Sequence, residues 1–109
     1  MKRGEIWVGA DVGDYARKPR PWLIIQSDYF PTADSIVAIP LTSVAVDAPY
    51  LRVPLAPIEE TGLRVESWAM LEKLAALRRS RLQSKIGELD RETMLEVQRG
   101  LMAVLGFAN

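Results

Sequence analysis

The chain has no cysteine and no histidine among its 109 residues. Without cysteine there is neither a disulfide framework nor a thiolate metal site, which fits a reducing compartment. Without histidine the commonest general base and the commonest metal ligand are missing together, so any catalysis has to run on carboxylates, Arg, Lys, Tyr or hydroxyls. Net charge is absent too: Lys and Arg number 14, as do Asp and Glu. The whole molecule is therefore no electrostatic magnet for nucleic acid or acidic membrane, and an anion site has to be a local patch. No apolar run approaches the roughly 20 residues of a membrane span, and the run in "MKRGEIWVGAD" is too short for a signal peptide's core. About half the residues are apolar, enough for one core and not for two. The expectation is one domain over residues 1–109, soluble and cytoplasmic, with no linker, repeat or low-complexity tract.

Short apolar runs separated by turn residues fill the first two thirds of the chain. "EIWVGA" reads as a strand and "DVGDYARKP" as an exposed loop. "PWLIIQS" reads as a second strand, largely buried because its apolar content is unbroken. "DYFPTAD" turns the chain, and "SIVAIPLTS" is a third strand with Pro40 near its end, where proline is better tolerated than mid-strand. "YLRVPLA" alternates as a half-exposed strand does. "ESWAMLEKL" fits strand or helix by periodicity, its first part read as strand, and "RLQSKIGEL" is a short strand or turn ending near Gly87. The closing segment is helical: Asp90 is a suitable N-cap, Glu92 sits in the first turn, Met94, Val97, Leu101 and Leu105 follow helical spacing, and Gly106 stops it. Five or more short strands and one amphipathic helix predict a mainly β fold, a small, strongly twisted barrel with a C-terminal α-helix packed on it.

Three places gather chemistry. In "RKPRPWLIIQSD", Arg20 precedes Pro21, which biases it toward extended backbone and mounts its guanidinium at the mouth of a strand with little local freedom. Arg17 and Lys18 just before it supply flexible positive charge that can hold phosphates without reading sequence. Tyr15, among these cations, is placed to stack on a base. "PLTS" sets the hydroxyls of Thr42 and Ser43 at the end of the next strand, and "LRRSRLQSK" gathers Arg78, Arg79, Arg81 and Lys85. Singly, each has a plainer explanation: a solvated loop, a threonine chosen for β-propensity, a polar face. Converging on one side of a barrel, they would form a basic groove with hydroxyls at its floor, suited to single-stranded RNA. Trp7, Trp22 and Trp68 lie in strand patterns, and for Trp7 and Trp22 packing is the better reading than base stacking.

"RGEIW", "RPWLIIQSDYF", "IVAIPLTS", "GLRVESWAMLEKL", "RLQSKIGEL" and the final "LMAVLGF" resemble, in that order and spacing, the MazF/PemK toxins of bacterial type II toxin–antitoxin systems, from about residue 3 to residue 107. The resemblance implies an SH3-like or CcdB-like barrel with a C-terminal helix, a homodimer, and sequence-selective cleavage of single-stranded RNA without a metal or other cofactor, restrained by a MazE-like antitoxin. It places the family's catalytic arginine on Arg20 and its catalytic threonine on Thr42. The basic residues Arg17, Lys18, Arg79 and Arg81, with Tyr15 and Ser43, are then candidates for binding the RNA. Where many members carry Asp followed by Gln or Lys, this chain has Glu72 and Lys73.

A nuclease with no histidine and no evident carboxylate cage has to use the RNA's own 2′-hydroxyl as nucleophile. Its tasks are alignment of that hydroxyl and stabilisation of charge growing on the phosphate. Arg20 suits the second task; as a proton donor it is weaker, because a guanidinium strongly retains its proton. The alternative is the same barrel acting as a CcdB-like gyrase-poisoning toxin or a non-catalytic binding module, with the closing helix as the working surface.

Overall fold

The second apolar run is unbroken because both of its faces are covered. In the computed structural model, which describes residues 1–10, 18–30 and 34–107, β2 (Arg20–Ile24) buries Trp22 and Ile24 on one face and Leu23 on the other. Its neighbours are β1 (Glu5–Gly9) and β3 (Ser35–Thr42), both antiparallel to it. Then come β4 (Arg52–Leu55), β5 (Ser67–Met70), β6 (Ala75–Arg78), β7 (Leu82–Glu88) and α1 (Arg91–Val104). Single 3₁₀ turns over Leu71–Lys73 and Arg79–Arg81 flank β6.

The seven strands form one antiparallel sheet in the order β4-β5-β3-β2-β1-β7, with β6 also on β3. The corner is in β3, which pairs with β6 along Ser35–Ala38 and with β5 along Leu41–Thr42. Pro40 falls between these two stretches, where the strand changes partner on that edge and a missing N–H costs least. One apolar cluster lies under α1 and holds Ile6, Leu23, Ile39, Leu41, Leu71, Val97 and Leu101; a second, on the opposite face, holds Trp22, Ile24, Ile36, Ala38, Leu77 and Leu82. The alternation of β2 and β3 between the clusters is the period-2 geometry of a strand. Each fully buried aliphatic side chain here contributes roughly 1.5–3 kcal/mol.

The helix begins where Asp90 accepts the Thr93 N–H at 3.2 Å, and its end is followed by Gly106 at φ +79°. Val97 and Leu101 are buried and Met94 packs against them, as the spacing requires. Leu105 departs from the sequence reading: it lies beyond the last helical residue and is 47% exposed. Two further readings are decided. Within "RLQSKIGEL" the strand alternative holds, as β7 over Leu82–Glu88, ending one residue past Gly87. β6 is a separate strand that the basic run had hidden: only Leu77 of its four residues is buried.

Candidate active site

Arg20 opens β2 and Thr42 closes β3. The two strands are in register at Trp22 opposite Pro40, and continuing that register by two residues sets Arg20 across from Thr42. Strand neighbours directly opposite each other stand about 4.5–5.5 Å apart at Cβ. Both residues line one open cavity of about 730 Å³. Lys18, Pro19, Ser43 and Val44 line it beside them, while Gly62, Leu63, Arg64, Val65, Ser67 and Ile86 are also on its wall.

Three cations, Lys18, Arg20 and Arg64, line this cavity, and no carboxylate does so among the described residues. The Thr42 Oγ1 accepts the Val44 N–H at 3.1 Å, which orients the oxygen and leaves the hydroxyl proton to donate elsewhere. Arg20 is half-buried and lines the cavity. Val8, Leu41, Leu63 and Ile86 make part of the wall apolar. Such a cavity can hold a phosphodiester at its cations and the face of a sugar or base against its aliphatic side.

The segment bearing Arg64 is tied down from within. The Thr61 hydroxyl accepts the Ile58 N–H at 3.3 Å and is within 2.8 Å of the Ala56 carbonyl oxygen, to which it donates. The Gly62 N–H donates to the Ile58 carbonyl at 3.0 Å, and Ser67 Oγ donates to the Val65 carbonyl at 3.1 Å. Gly62 has φ +68°, and a Cβ there would collide with the Ile86 carbonyl of β7.

Of the sequence candidates, Arg20, Thr42, Lys18 and Ser43 are brought together. Arg17 and Tyr15 lie outside the described residues. The basic run does not join the group. Arg78 pairs with Ser35, at the end of β3 remote from Thr42, and Arg79 lines a second cavity of about 340 Å³ with Lys2, Gln26, Asp28 and Phe30. Arg81 is on the wall of neither cavity; its carbonyl accepts the Ala10 N–H at 3.4 Å. Of the three segments expected to converge, two basic and one hydroxyl-bearing, the Lys18–Arg20 stretch and the Thr42–Ser43 pair share one cavity and the basic run stands apart. The reason is topological: β6 carries the run along β3 in the direction away from Thr42.

Arg64 was missed by sequence reasoning. Its signal was the Thr61–Gly62 pair, which marks a tight turn able to present the following residues. Glu72 is engaged elsewhere, with Arg52 at 2.9 Å. Trp22 is buried in the second cluster, and Trp7 packs against that cluster while its Nε1 donates to Glu5 at 3.0 Å. Among the described residues no three of Asp and Glu gather as a metal site, and no helix is long and apolar enough to cross a membrane.

Over residues 2–105 the chain matches the family described as PemK-like, MazF-like toxin of type II toxin–antitoxin system. The chain belongs to this family. A curated relative, the probable endoribonuclease MazF of Mycolicibacterium smegmatis, is 40% identical over 108 residues, 99% of each chain. Among solved structures, a mycobacterial endoribonuclease in complex with its cognate antitoxin superposes with TM-score 0.82 at 22% identity, covering 100% of this chain and 98% of that one. A MazE–MazF crystal structure from Deinococcus radiodurans gives 0.81 at 23% identity, covering 99% and 98%. The MazF/PemK barrel, with its C-terminal helix, is thus the fold of this chain.

Proposed function

We propose that this PemK/MazF-family toxin is a metal-independent, sequence-selective endoribonuclease of single-stranded RNA, and that Arg20 and Thr42 are its catalytic pair. One observation carries the residue assignment: a guanidinium and a hydroxyl from facing positions of adjacent strands line a single cavity whose charged lining is all positive among the described residues.

The RNA's 2′-hydroxyl attacks the adjacent phosphorus as it gives up its proton to solvent. The P–O5′ bond breaks, the O5′ takes up a proton, and the products are a 2′,3′-cyclic phosphate and a 5′-hydroxyl. Arg20 stabilises the charge that builds on the phosphate oxygens, as a bidentate donor fixed before the reaction begins. Thr42, its oxygen held by the Val44 N–H, donates its proton to the same phosphate and aligns it with the nucleophile. Lys18 and Ser43 hold the RNA at the cavity's mouth, and Arg17 and Tyr15, outside the described residues, are assigned to RNA binding by the sequence reading. Arg79 and Arg81, which stand off this wall, contact RNA only where the strand runs on beyond it.

A MazE-like antitoxin is the natural restraint, since an acidic segment with apolar anchors complements three cations beside aliphatic walls. The toxin is a single domain and works in the cytoplasm as a homodimer, a state supported by the exposed Leu95, Met102, Leu105 and Phe107 at the helix and its end. The gyrase-poisoning and binding-module alternatives are not favoured, because the 40%-identical relative is named as an endoribonuclease. Incubating the purified protein with a long RNA in EDTA tests the proposal. Discrete fragments with cyclic-phosphate and 5′-hydroxyl ends are expected; RNA left intact would overturn it.

A further inference from the structure

We propose that Arg64 grips a non-scissile phosphate of the RNA, one neighbouring the bond that Arg20 and Thr42 cleave, and so sets the strand's position across the cavity. This rests on the endoribonuclease reading of the same site. Three observations lead to it. Arg64 lines the same cavity as Arg20, contributed by a separate segment of chain. It is exposed, and its guanidinium has no hydrogen bond or ion pair with any described residue; Arg78, Arg91 and Arg99 share that state, but of the four only Arg64 lines this cavity. It is nevertheless mounted on a rigid support: Leu63 beside it is buried, Thr61 and Gly62 are bonded back to residues 56–58, and Gly62 lies against β7 with no room for a side chain.

An exposed arginine is at home in water without a protein partner; what sets Arg64 apart is that a braced turn holds it at the wall of the cavity that Arg20 lines. A cavity of about 730 Å³ is also far larger than one phosphate group needs, and lies in the range that encloses a drug-sized ligand of roughly 300–1,000 Å³. The scissile phosphate at Arg20 therefore leaves room along the wall for the next one. Guanidinium is the side chain best matched to a phosphate's paired oxygens. Because the contact is the same before and in the transition state, it acts on binding rather than on the chemical step.

The test uses the full chain and a short RNA that spans one mapped cleavage site, with 2′-O-methyl ribose at every other position. Each non-scissile phosphate is replaced in turn by an uncharged methylphosphonate. For the wild type, one position is expected to raise KM by about tenfold, the scale of one charge-assisted contact. Arg64→Ala should raise KM by a similar factor on the unmodified RNA, leave kcat within about twofold, and be indifferent to that one replacement. Arg64→Lys should restore most of the binding, and the salt dependence of KM should flatten in Arg64→Ala by about one phosphate contact. If Arg64→Ala is as sensitive as the wild type at every position, or keeps the wild-type KM, the assignment to Arg64 is wrong. Failure of the wild type to cleave the unmodified RNA at all would instead overturn the endoribonuclease reading on which this rests.

Discussion

Arg52 and Glu72 meet at 2.9 Å, joining the start of β4 to the 3₁₀ turn after β5. The pair takes the acidic residue that follows β5 out of the cavity and makes it part of the scaffold. With the two side chains only 13% and 28% exposed, the pair is shielded enough to matter, and the Arg52 Nε is already buried without a partner. Glu72→Gln is expected to destabilise the fold by about 1–2 kcal/mol and to leave RNA cleavage within a few-fold of wild type. Denaturant unfolding together with a cleavage assay checks both halves.

Glu5 gives the fold an acid-sensitive joint. Burial alone would push its carboxyl up, but the Lys2 N–H at 2.9 Å, the Trp7 Nε1 at 3.0 Å and the Lys85 Nζ at 3.1 Å all favour the charged form and bring it down from 4.5 to about 2. A carboxyl whose value falls on folding stabilises the native state above its unfolded value, and that stabilisation is lost as pH drops. Here the window runs from about 4.5 down to about 2. Glu5→Gln should be less stable than wild type at pH 7, and the difference should shrink through that window. A constant difference from pH 7 to pH 2.5 in thermal unfolding would contradict the assignment.

Gly62 and Gly87 set how closely the turn before β5 approaches β7. A Cβ on Gly62 would strike the Ile86 carbonyl, and one on Gly87 would strike the Thr61 and Glu60 backbone, where the Glu88 N–H donates to the Glu60 carbonyl at 2.8 Å. Gly62→Ala adds the strain of φ +68° to the collision and should cost about 2 kcal/mol or more. It should also weaken RNA binding, because Arg64 is carried by the displaced turn. Chemical unfolding and KM measured on the same variant read the two effects.

Removing the helix's buried contacts should unfold the support of the whole sheet. Val97 of α1 is fully buried against the sheet, and Gly100 leaves just enough room for the Leu71 side chain. Leu101→Ala is expected to cost about 2–5 kcal/mol, and Gly100→Val a loss from overpacking against Leu71 of about 1–3 kcal/mol. Both are measurable by denaturant titration.

Much of this architecture was legible from local pattern. The unbroken Trp22–Leu23–Ile24 run announced a strand buried on two faces, the alternation in Arg52–Leu55 announced a half-exposed one, and Asp90 with Val97 and Leu101 announced the helix. Arg20 and Thr42 could be read as neighbours because each stands at the end of a clear strand and the two strands are consecutive, while their catalytic roles came from the family resemblance. Arg64 was harder: the Thr61–Gly62 pair marks a turn, but what places that turn at the cavity is its bracing against β7, more than 20 residues later in the chain. Arg79 was misleading for the same reason: its charge was evident, but which end of β3 it reaches depends on a pairing between β3 and β6 that leaves no local mark.

The central claim is that Arg20 and Thr42 act on one phosphodiester as a unit. Single-turnover cleavage by Arg20→Ala, Thr42→Ala and the double variant, each verified as folded by its unfolding transition, tests it most directly. Residues that work as a unit give a double variant no slower than the slower single one, and each single loss should be about a hundredfold or more. Wild-type rates in either single variant, or losses that simply multiply in the double, would contradict the account.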